Sequence, residues 1–471
     1  YDVQTKVVET ATVTLYKDVA IVQDQTVSRA TRIFQNPQDK TFGAFAGNSL
    51  EVGQLNLDAG RDIRLTGLMQ ASGSATLWAG RDLSLQGKVI PNVDLPAPST
   101  LVAGGLVTAT AGRDILLDRT SLVKSTAQSA AFTATAGGIS ALGEIRTTAG
   151  DLSLTAANNI LASTLVYARN ISLTAGSDGS GHVSGDVSTS LNASGIGAGN
   201  ITVTAGASLG DIVFNDSGLV ASATLHLNAA GGSLYNKGVA LQAVAAVLVA
   251  RNNVQADALN SGAFLLASST LSASSTVSGR LRLQTYGDLD VSTLSTANGN
   301  ISLLSTGDLT VRSGSAGASN ATLSLSTTQG KDIKLGVISG SNLIFNSDGA
   351  ITQTTSPVST LTGERLDLTS RKGLVLSGLN VGTVAALVME AHGLSKSSKL
   401  PAHLILAVMA VESSFHPYVQ SQAGAQGLMQ VMTGIHAKRY EAYGGNMAAF
   451  DPLTNMRVGV AVLVDGIKLK G

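Results

Sequence analysis

Apolar and polar residues alternate in short runs along most of this chain, and each run follows a turn built on Gly and Asp or Asn. The clearest copies are AGRDIRL at 59–65, AGRDLSL at 79–85 and AGRDILL at 111–117, and weaker copies begin at residues 149, 168, 199, 286, 299, 306 and 330. A turn that leads into an alternating run predicts a β-strand. Recurrence at a spacing of about 20 residues predicts a β-solenoid, because one coil cannot bury its apolar side without stacking on the next.

The period of the apolar pattern changes near residue 381. Apolar side chains then recur at helical spacing, at Val384, Leu387, Val388, Ala391 and Leu394. A second run with helical spacing covers residues 404–415, and Pro401 suits the first helical position before it. We therefore predict a mostly β chain in three segments. Residues 1–47 form leading strands or a cap, residues 48–380 form the β-helix, and residues 381–471 form a small α-helical domain.

Composition fits a solenoid of small side chains. The chain has 471 residues with 52 Gly, 13% charged and 44% hydrophobic residues, which is too apolar for a disordered segment. Lys plus Arg and Asp plus Glu both number 31, and this balance argues against nucleic acid as a partner. There is no Cys, so disulfides and thiolate metal sites are excluded. We expect no metal and no cofactor, and no apolar run is long enough to span a membrane.

Glu412 is the strongest candidate for chemistry. Leu404, Val408 and Glu412 are spaced at i, i+4 and i+8, so on a helix they share one face. A carboxylate on an apolar face is costly to ionise, and desolvation raises its pKa toward the range of a general acid. The alternative is that Glu412 ends the helix and points to water, as single acids on apolar helices often do.

Two further blocks follow in order. Residues 421–432 are rich in small side chains, and we expect Gly427 to lead into a second short helix. Residues 450–460 begin with Asp451 and Pro452, which suit the N-cap and N1 positions of a third helix.

The three blocks together resemble the lytic transglycosylase domain of the soluble lytic transglycosylase type, which has a goose-type-lysozyme-like α fold. The matching elements are Glu412-Ser413, then Gly427-Leu428-Met429-Gln430, then Asp451-Pro452 with Asn455 and Gly459. The resemblance covers residues 382–471. It implies cleavage of the β-1,4 bond between N-acetylmuramic acid and N-acetylglucosamine in peptidoglycan glycan strands, giving 1,6-anhydro products.

The same resemblance implies roles for five residues. Glu412 would act first as acid and then as base, and no second carboxylate would be needed. Ser413 and Gln430 would help hold the substrate, while Gly427 and Met429 would shape the cleft. Asn455 and Gly459 would be structural.

One departure from the family pattern stands out. The family carries an Ala-Tyr-Asn-x-Gly motif after the third helix, and its tyrosine binds near the catalytic glutamate. The sequence reaches Gly471 before such a motif. We therefore expect a domain that is incomplete at its C-terminus, and its activity is open.

The repeats resemble those of filamentous-haemagglutinin-like exoproteins, which are secreted adhesins built as right-handed parallel β-helices. This resemblance implies an exported protein of the periplasm, the cell surface or the medium, whose rod contacts host or bacterial surfaces. The chain begins at Tyr1 without a visible signal, so we expect a fragment. We expect the Arg-Asp pairs at 61–62, 81–82 and 113–114 to be turn residues whose charges face solvent.

Three readings stay open at this point. The first is an enzyme, with a lytic domain carried on an exported rod. The second is a structural or adhesive protein whose lytic domain is inactive. The third is a fusion of two unrelated parts near residue 381.

Overall fold

The computed structural model describes residues 40–43, 49–87, 98–177, 179–195, 197–256, 262–354, 359–374, 380–381, 384–413, 415 and 417–470. The expectation for residues 1–47 therefore lies outside the described residues, apart from one strand at 40–43. The chain divides into two compact units, residues 1–308 and residues 309–471, which are described separately. The change from strands to helices falls later, between residues 381 and 384, near the predicted boundary.

Unit one consists of parallel strands. They are β1 Lys40–Gly43, β2 Ser49–Val52, β3 Leu55–Ala59, β4 Ile63–Thr66, β5 Leu68–Ala71, β6 Ala75–Ala79, β7 Leu83–Leu85, β8 Ser99–Ala103, β9 Val107–Ala111, β10 Ile115–Leu117, β11 Ser121–Ser125, β12 Ala130–Ala134, β13 Ile139–Ala141, β14 Glu144–Thr147, β15 Leu152–Ala156, β16 Ile160–Ala162, β17 Leu165–Tyr167, β18 Ile171–Ala175, β19 Val183–Gly185, β20 Ser190–Ala193, β21 Ile201–Thr204, β22 Ile212–Asn215, β23 Gly218–Ala221, β24 Thr224–Ala229, β25 Leu234–Lys237, β26 Leu241–Ala250, β27 Val254–Gln255, β28 Phe264–Ser275, β29 Leu281–Thr285, β30 Leu289–Thr296 and β31 Ile301–Ser305.

Up to β23, each strand pairs in parallel with the strand three places further on, so the chain winds through three stacks of strands. The first stack contains β3, β6, β9, β12, β15, β18, β21 and β24. Side chains alternate along each strand, and the inward ones are almost entirely Leu, Ile, Val, Ala and Phe. From β24 to β29 each strand pairs with the strand two places further on, and the long strand β26 pairs with both β23 and β24. The predicted parallel β-solenoid is confirmed.

The turn signals also occupy the predicted places. The strands β4, β7 and β10 each begin directly after the Asp of an AGRD run. The Arg-Asp pairs do more than face water, because Asp62 and Asp82 each accept a hydrogen bond from the Arg of the next copy. Arg81 Nε donates to Asp62 Oδ1 at 2.8 Å, and Arg113 Nε donates to Asp82 Oδ1 at 2.8 Å. These contacts connect one coil to the next, while the Arg side chains stay 38–55% exposed, so the predicted turn residues with solvent-facing charge are confirmed and gain inter-coil contacts.

Unit two begins with further strands and ends with helices. The strands are β32 Leu309–Ala316, β33 Thr322–Thr327, β34 Ile333–Ser339, β35 Asn342–Ser347, β36 Ala350–Gln353, β37 Thr360–Thr362, β38 Arg365–Ser370, β39 Gly373–Leu374 and β40 Asn380–Val381, and then β41 Ala425–Gln426 and β42 Val431–Met432 among the helices. The helices are α1 Val384–Ser398, α2 Ala402–Ser413, α3 Thr433–Tyr440 and α4 Pro452–Lys470, with short 3-10 helices at Glu441–Tyr443 and Asn446–Phe450.

The helices share one apolar core, to which α1 contributes Leu387 and Ala391, and α2 contributes Ile405 and Met409. A small helical domain therefore follows the solenoid, as predicted. The start of α4 also follows the sequence signal, since the Asp451 carboxylate accepts the Thr454 backbone N–H at 2.8 Å and Pro452 opens the helix.

An ion pair links the first and last helices of this domain. Arg457 Nε on α4 donates to Glu390 Oε1 on α1 at 2.8 Å. This hydrogen bond to Glu390 is the main reason that the pKa of Arg457 is raised. Glu390 is therefore engaged in holding α1 to α4.

Candidate functional site

Glu412 lies in the last turn of α2, and its side chain is exposed. The buried face of α2 carries Ile405, Met409 and Ser413, one position away from the face predicted from the sequence. Leu404 is 37% exposed and Val411, next to Glu412, is 84% exposed. The prediction that Glu412 sits desolvated on a buried apolar face is therefore wrong. Among the described residues, no hydrogen bond or ion pair involves its carboxylate, which is open to a ligand.

Ser413 turns the opposite way, into the domain. Its hydroxyl lies 2.8 Å from the backbone oxygen of Leu428 and 3.0 Å from that of Met409, and the side chain is 7% exposed. The hydroxyl therefore connects the end of α2 to the loop at residues 427–430. Glu412 is consequently held at a fixed place beside that loop.

The loop itself is a turn, and the helix predicted after Gly427 is wrong. Residues 427–430 join β41 to β42, which pair as antiparallel strands, and helix α3 begins only at Thr433. Gly427 has φ +76° and Gln430 has φ +44°. Both conformations are left-handed, and a right-handed helix cannot contain them. A Cβ on Gly427 would lie 2.1 Å from the Ala449 backbone oxygen, so only glycine fits here.

Gln430 closes the turn from the other end. Its side-chain Nε2 donates to the backbone oxygens of Val419 at 3.0 Å and Gly427 at 2.9 Å. Both amide hydrogens are thereby used inside the protein. No described hydrogen bond uses the Oε1 atom of this half-buried side chain, so that acceptor is free to bind a ligand.

Asn455 on α4 stabilises the turn through hydrogen bonds to its backbone. It is fully buried, its Oδ1 accepts the Met429 backbone N–H at 2.7 Å, and its Nδ2 donates to the Gln426 backbone oxygen at 2.8 Å. The same Nδ2 lies 3.3 Å from the Tyr440 hydroxyl, and burial raises the pKa of Tyr440 to about 12. Tyr440 therefore stays neutral and stabilises the site from the core.

Met429 fills the space between the turn and α4. The side chain is 7% exposed, and a Cβ on Gly459 would lie 2.7 Å from Met429 Cβ. The residues expected to shape a cleft thus act through packing and backbone geometry. Sequence reasoning missed Tyr440, for which the only signal was a tyrosine in the helix before the Asp-Pro block.

The site therefore has one exposed carboxylate at the end of a helix, held next to a rigid turn. An isolated carboxyl group can exchange a proton with a bound substrate. Among the described residues, no group of three His, Asp or Glu side chains could hold a metal ion. No helix of the described chain is long and apolar enough to cross a membrane.

Comparisons with known proteins match the helical region of the chain. Residues 391–469 match the family model described as Transglycosylase SLT domain. The proteins named membrane-bound lytic murein transglycosylase C from Salmonella typhi, Salmonella paratyphi A and Salmonella typhimurium are each 44% identical over 66 residues. That stretch is 13% of this chain and 18% of each relative, so the chain spans less than a fifth of their length. No solved structure matches. The helical region around Glu412 is thus similar to Transglycosylase SLT domains.

Proposed function

We propose that residues 381–471 act as a lytic transglycosylase on the glycan strands of peptidoglycan, with Glu412 as the catalytic residue. The single observation that carries this proposal is the bond from Ser413 Oγ to the Leu428 backbone oxygen at 2.8 Å. It joins the Glu412-Ser413 pair to the turn at residues 427–430, which are the two blocks of the family pattern. The match of residues 391–469 to the SLT domain supports the same proposal.

The chemistry needs one carboxyl group. In its acid form Glu412 gives its proton to the oxygen that leaves with N-acetylglucosamine, and the bond from C1 of N-acetylmuramic acid breaks. The carboxylate then takes the proton of the muramyl 6-hydroxyl, and that oxygen bonds to C1. The proton gained equals the proton given, no water is consumed, and the product is a 1,6-anhydro sugar.

Glu412 is exposed in the structure, so the carboxyl group is desolvated only when the substrate covers it. A glycan strand that covers Glu412 removes water from the carboxyl group, and Val411 offers apolar surface next to it, 84% exposed. Desolvation favours the neutral acid that the first step requires.

The other site residues take roles that the geometry suggests. Ser413, Gly427 and Met429 hold the turn, because the Ser413 hydroxyl is bound to backbone oxygens and the Met429 side chain is buried. Gln430 presents Oε1 as an acceptor for a sugar hydroxyl or amide, while its Nε2 anchors it to the turn. Among the four, Gln430 is the one that contacts substrate.

Digestion of purified sacculi tests this function, with soluble products identified by mass spectrometry. The parent chain should release anhydromuropeptides, and Glu412→Gln should release none. Glu441→Gln is the matched control, because Glu441 is an exposed acid of the same domain. Products with a reducing end in place of the anhydro ring would contradict the proposal, and so would equal activity of the parent and Glu412→Gln.

A second candidate is an exported adhesive rod whose helical domain is inactive. The observation that favours it is that Glu412 is exposed and that no described residue makes a hydrogen bond or ion pair to orient its carboxyl group. In this case the solenoid would contact host or bacterial cell surfaces, as the haemagglutinin-like repeats imply. Absence of soluble products from a well-folded parent chain would select this candidate.

A further inference from the structure

The outer face of the first stack carries a regular column of threonines. The strand registers place Thr110, Thr133, Thr155, Thr174 and Thr204 directly next to one another on β9, β12, β15, β18 and β21. All five point away from the apolar interior and are partly exposed. Five consecutive coils thus present a threonine hydroxyl and methyl group at the same position along the strand.

A second column of small polar residues lies two positions earlier on the same strands. It contains Thr76, Thr108, Ser153, Ser172 and Thr202, and Ala131 is the one member without a hydroxyl. Adjacent strands are about 4.8 Å apart, and positions i and i+2 of a strand are about 6.6 Å apart. The face is therefore a two-column grid of hydroxyl groups.

The hydroxyls of the threonine column are not used for folding. Among the described residues, no hydrogen bond within the chain involves the side chains of these five threonines, whereas Thr126, Thr135 and Thr148 in nearby turns bind backbone oxygens. The free hydroxyls can therefore bind a ligand.

The threonine column leads to the one tryptophan of the chain, and one strand beyond it, on β3, the exposed Asp58 stands next to Trp78 in register. Trp78 on β6 stands opposite Thr110 in register and is 46% exposed. An indole ring at this place lies on the outer face and is not needed to fill the interior. Aromatic rings offer a flat apolar surface with little entropy to lose, which is why they are enriched at binding sites.

Charge is nearly absent between the two columns. From β6 to β21 neither column contains Lys, Arg, Asp, Glu or His. The corner beside the face carries Arg81 and Arg113, whose charges pair with Asp62 and Asp82. An uncharged surface of this kind does not attract nucleic acid or anionic lipid, which require a basic patch. It suits a ligand that is itself uncharged and rich in hydroxyl groups.

We propose that this face binds an extended, uncharged polysaccharide of the β-1,4-linked type. The strand lies along the stack, one sugar ring rests on Trp78, and sugar hydroxyls bond to the threonine column. From Trp78 to Thr204 the face is about 24 Å long, five strand spacings, which holds several sugars of an extended chain. This binding surface belongs to unit one, whereas Glu412 belongs to unit two.

The test is binding of the full-length Glu412→Gln variant to insoluble chitin and cellulose by sedimentation, followed by titration with chitohexaose and cellohexaose. This variant isolates binding from cleavage, so a failure of the lytic proposal leaves the result unchanged. Chitin and cellulose differ by the N-acetyl group, and binding to either one supports the proposal when Trp78→Ala, added to Glu412→Gln, weakens it.

Two kinds of substitution locate the surface. Trp78→Ala should weaken binding about tenfold or more, as expected for an aromatic residue at the centre of a contact. The triple variant Thr133→Val, Thr155→Val and Thr174→Val keeps the shape and strand propensity but removes three hydroxyls, so it should fold and bind weakly. The same three positions changed to Ser should retain binding.

The matched control is Tyr286→Ala, which removes an aromatic side chain of unit one that is 42% exposed and lies outside the first stack. It should bind like the parent. Absence of binding by the Glu412→Gln chain to every probe would overturn the proposal. The proposal would also be overturned if Trp78→Ala and the triple Val variant each kept full affinity. The ligand would then be bound elsewhere.

Discussion

Replacement of Asn455 by Ala should destabilise the helical domain more than any other single polar substitution near the site. Asn455 is fully buried and makes bonds to the Met429 backbone N–H and the Gln426 backbone oxygen, at 2.7 and 2.8 Å. Alanine removes both partners at a position that is fully buried. Two backbone groups inside the domain are then left unsatisfied.

The magnitude follows from these two groups. Each buried donor or acceptor without a partner costs about 1–3 kcal/mol, so the free energy of unfolding should fall by about 2–6 kcal/mol. A domain has only about 5–15 kcal/mol in total, so the loss is a large share. Asn455→Asp should be at least as harmful, because an oxygen would then face the Gln426 oxygen and a charge would be buried.

Urea denaturation of the full chain measures this effect, with the far-ultraviolet helical signal reporting on α1 to α4. Gln422→Ala is the matched control, since Gln422 is exposed in the same region. It should change the free energy of unfolding by less than about 0.5 kcal/mol. A change of that small size for Asn455→Ala would refute the reasoning, because it would mean that the turn at 427–430 does not depend on Asn455.

Three further outcomes are expected. Gly427→Ala should destabilise the helical domain by at least about 2 kcal/mol, because φ is +76° and the new Cβ would lie 2.1 Å from the Ala449 oxygen; unfolding by urea measures it. Ser413→Ala should cost about 1–2 kcal/mol and lower the release of anhydromuropeptides, since the Leu428 oxygen loses its donor. In the solenoid, the hydrogen bond from Arg169 lowers the pKa of Asp151 below its ordinary value of 3.8. The stability from this pair is therefore present above that value and is lost as the pH falls through the lowered pKa. Asp151→Asn should thus be less stable than the parent at neutral pH, by less than about 1 kcal/mol because the pair is exposed, and the difference should vanish in acid.

The solenoid was predictable because its signals are local and repeated. The Asp of every AGRD copy directly precedes a strand. The alternation of apolar and polar residues along that strand then fixes which side chains point inward. The stacked Arg-Asp contacts were not predictable from single copies. They depend on the offset between coils, which places Arg81 next to Asp62 of the preceding copy as well as its own Asp82.

The helical site was predictable in its blocks and not in its details. The Asp-Pro start of α4 is a local signal, and the structure confirms it. The turn at residues 427–430 was mistaken for a helix, because its left-handed residues are stabilised by Asn455 and Val419, which are distant in sequence. Long-range contacts of this kind override local propensity.

The face of α2 shows the same limit and bears on function. Residues 404–412 are apolar at nearly every position, so periodicity cannot tell which side is buried. Packing chooses the face with Ile405, Met409 and Ser413, which leaves Glu412 in solvent. The bond from the Ser413 hydroxyl to the Leu428 oxygen adds to this packing on the same face. The orientation that hides Ser413 therefore exposes Glu412, and only an exposed carboxyl group can meet a polymer that is too large to enter a closed pocket.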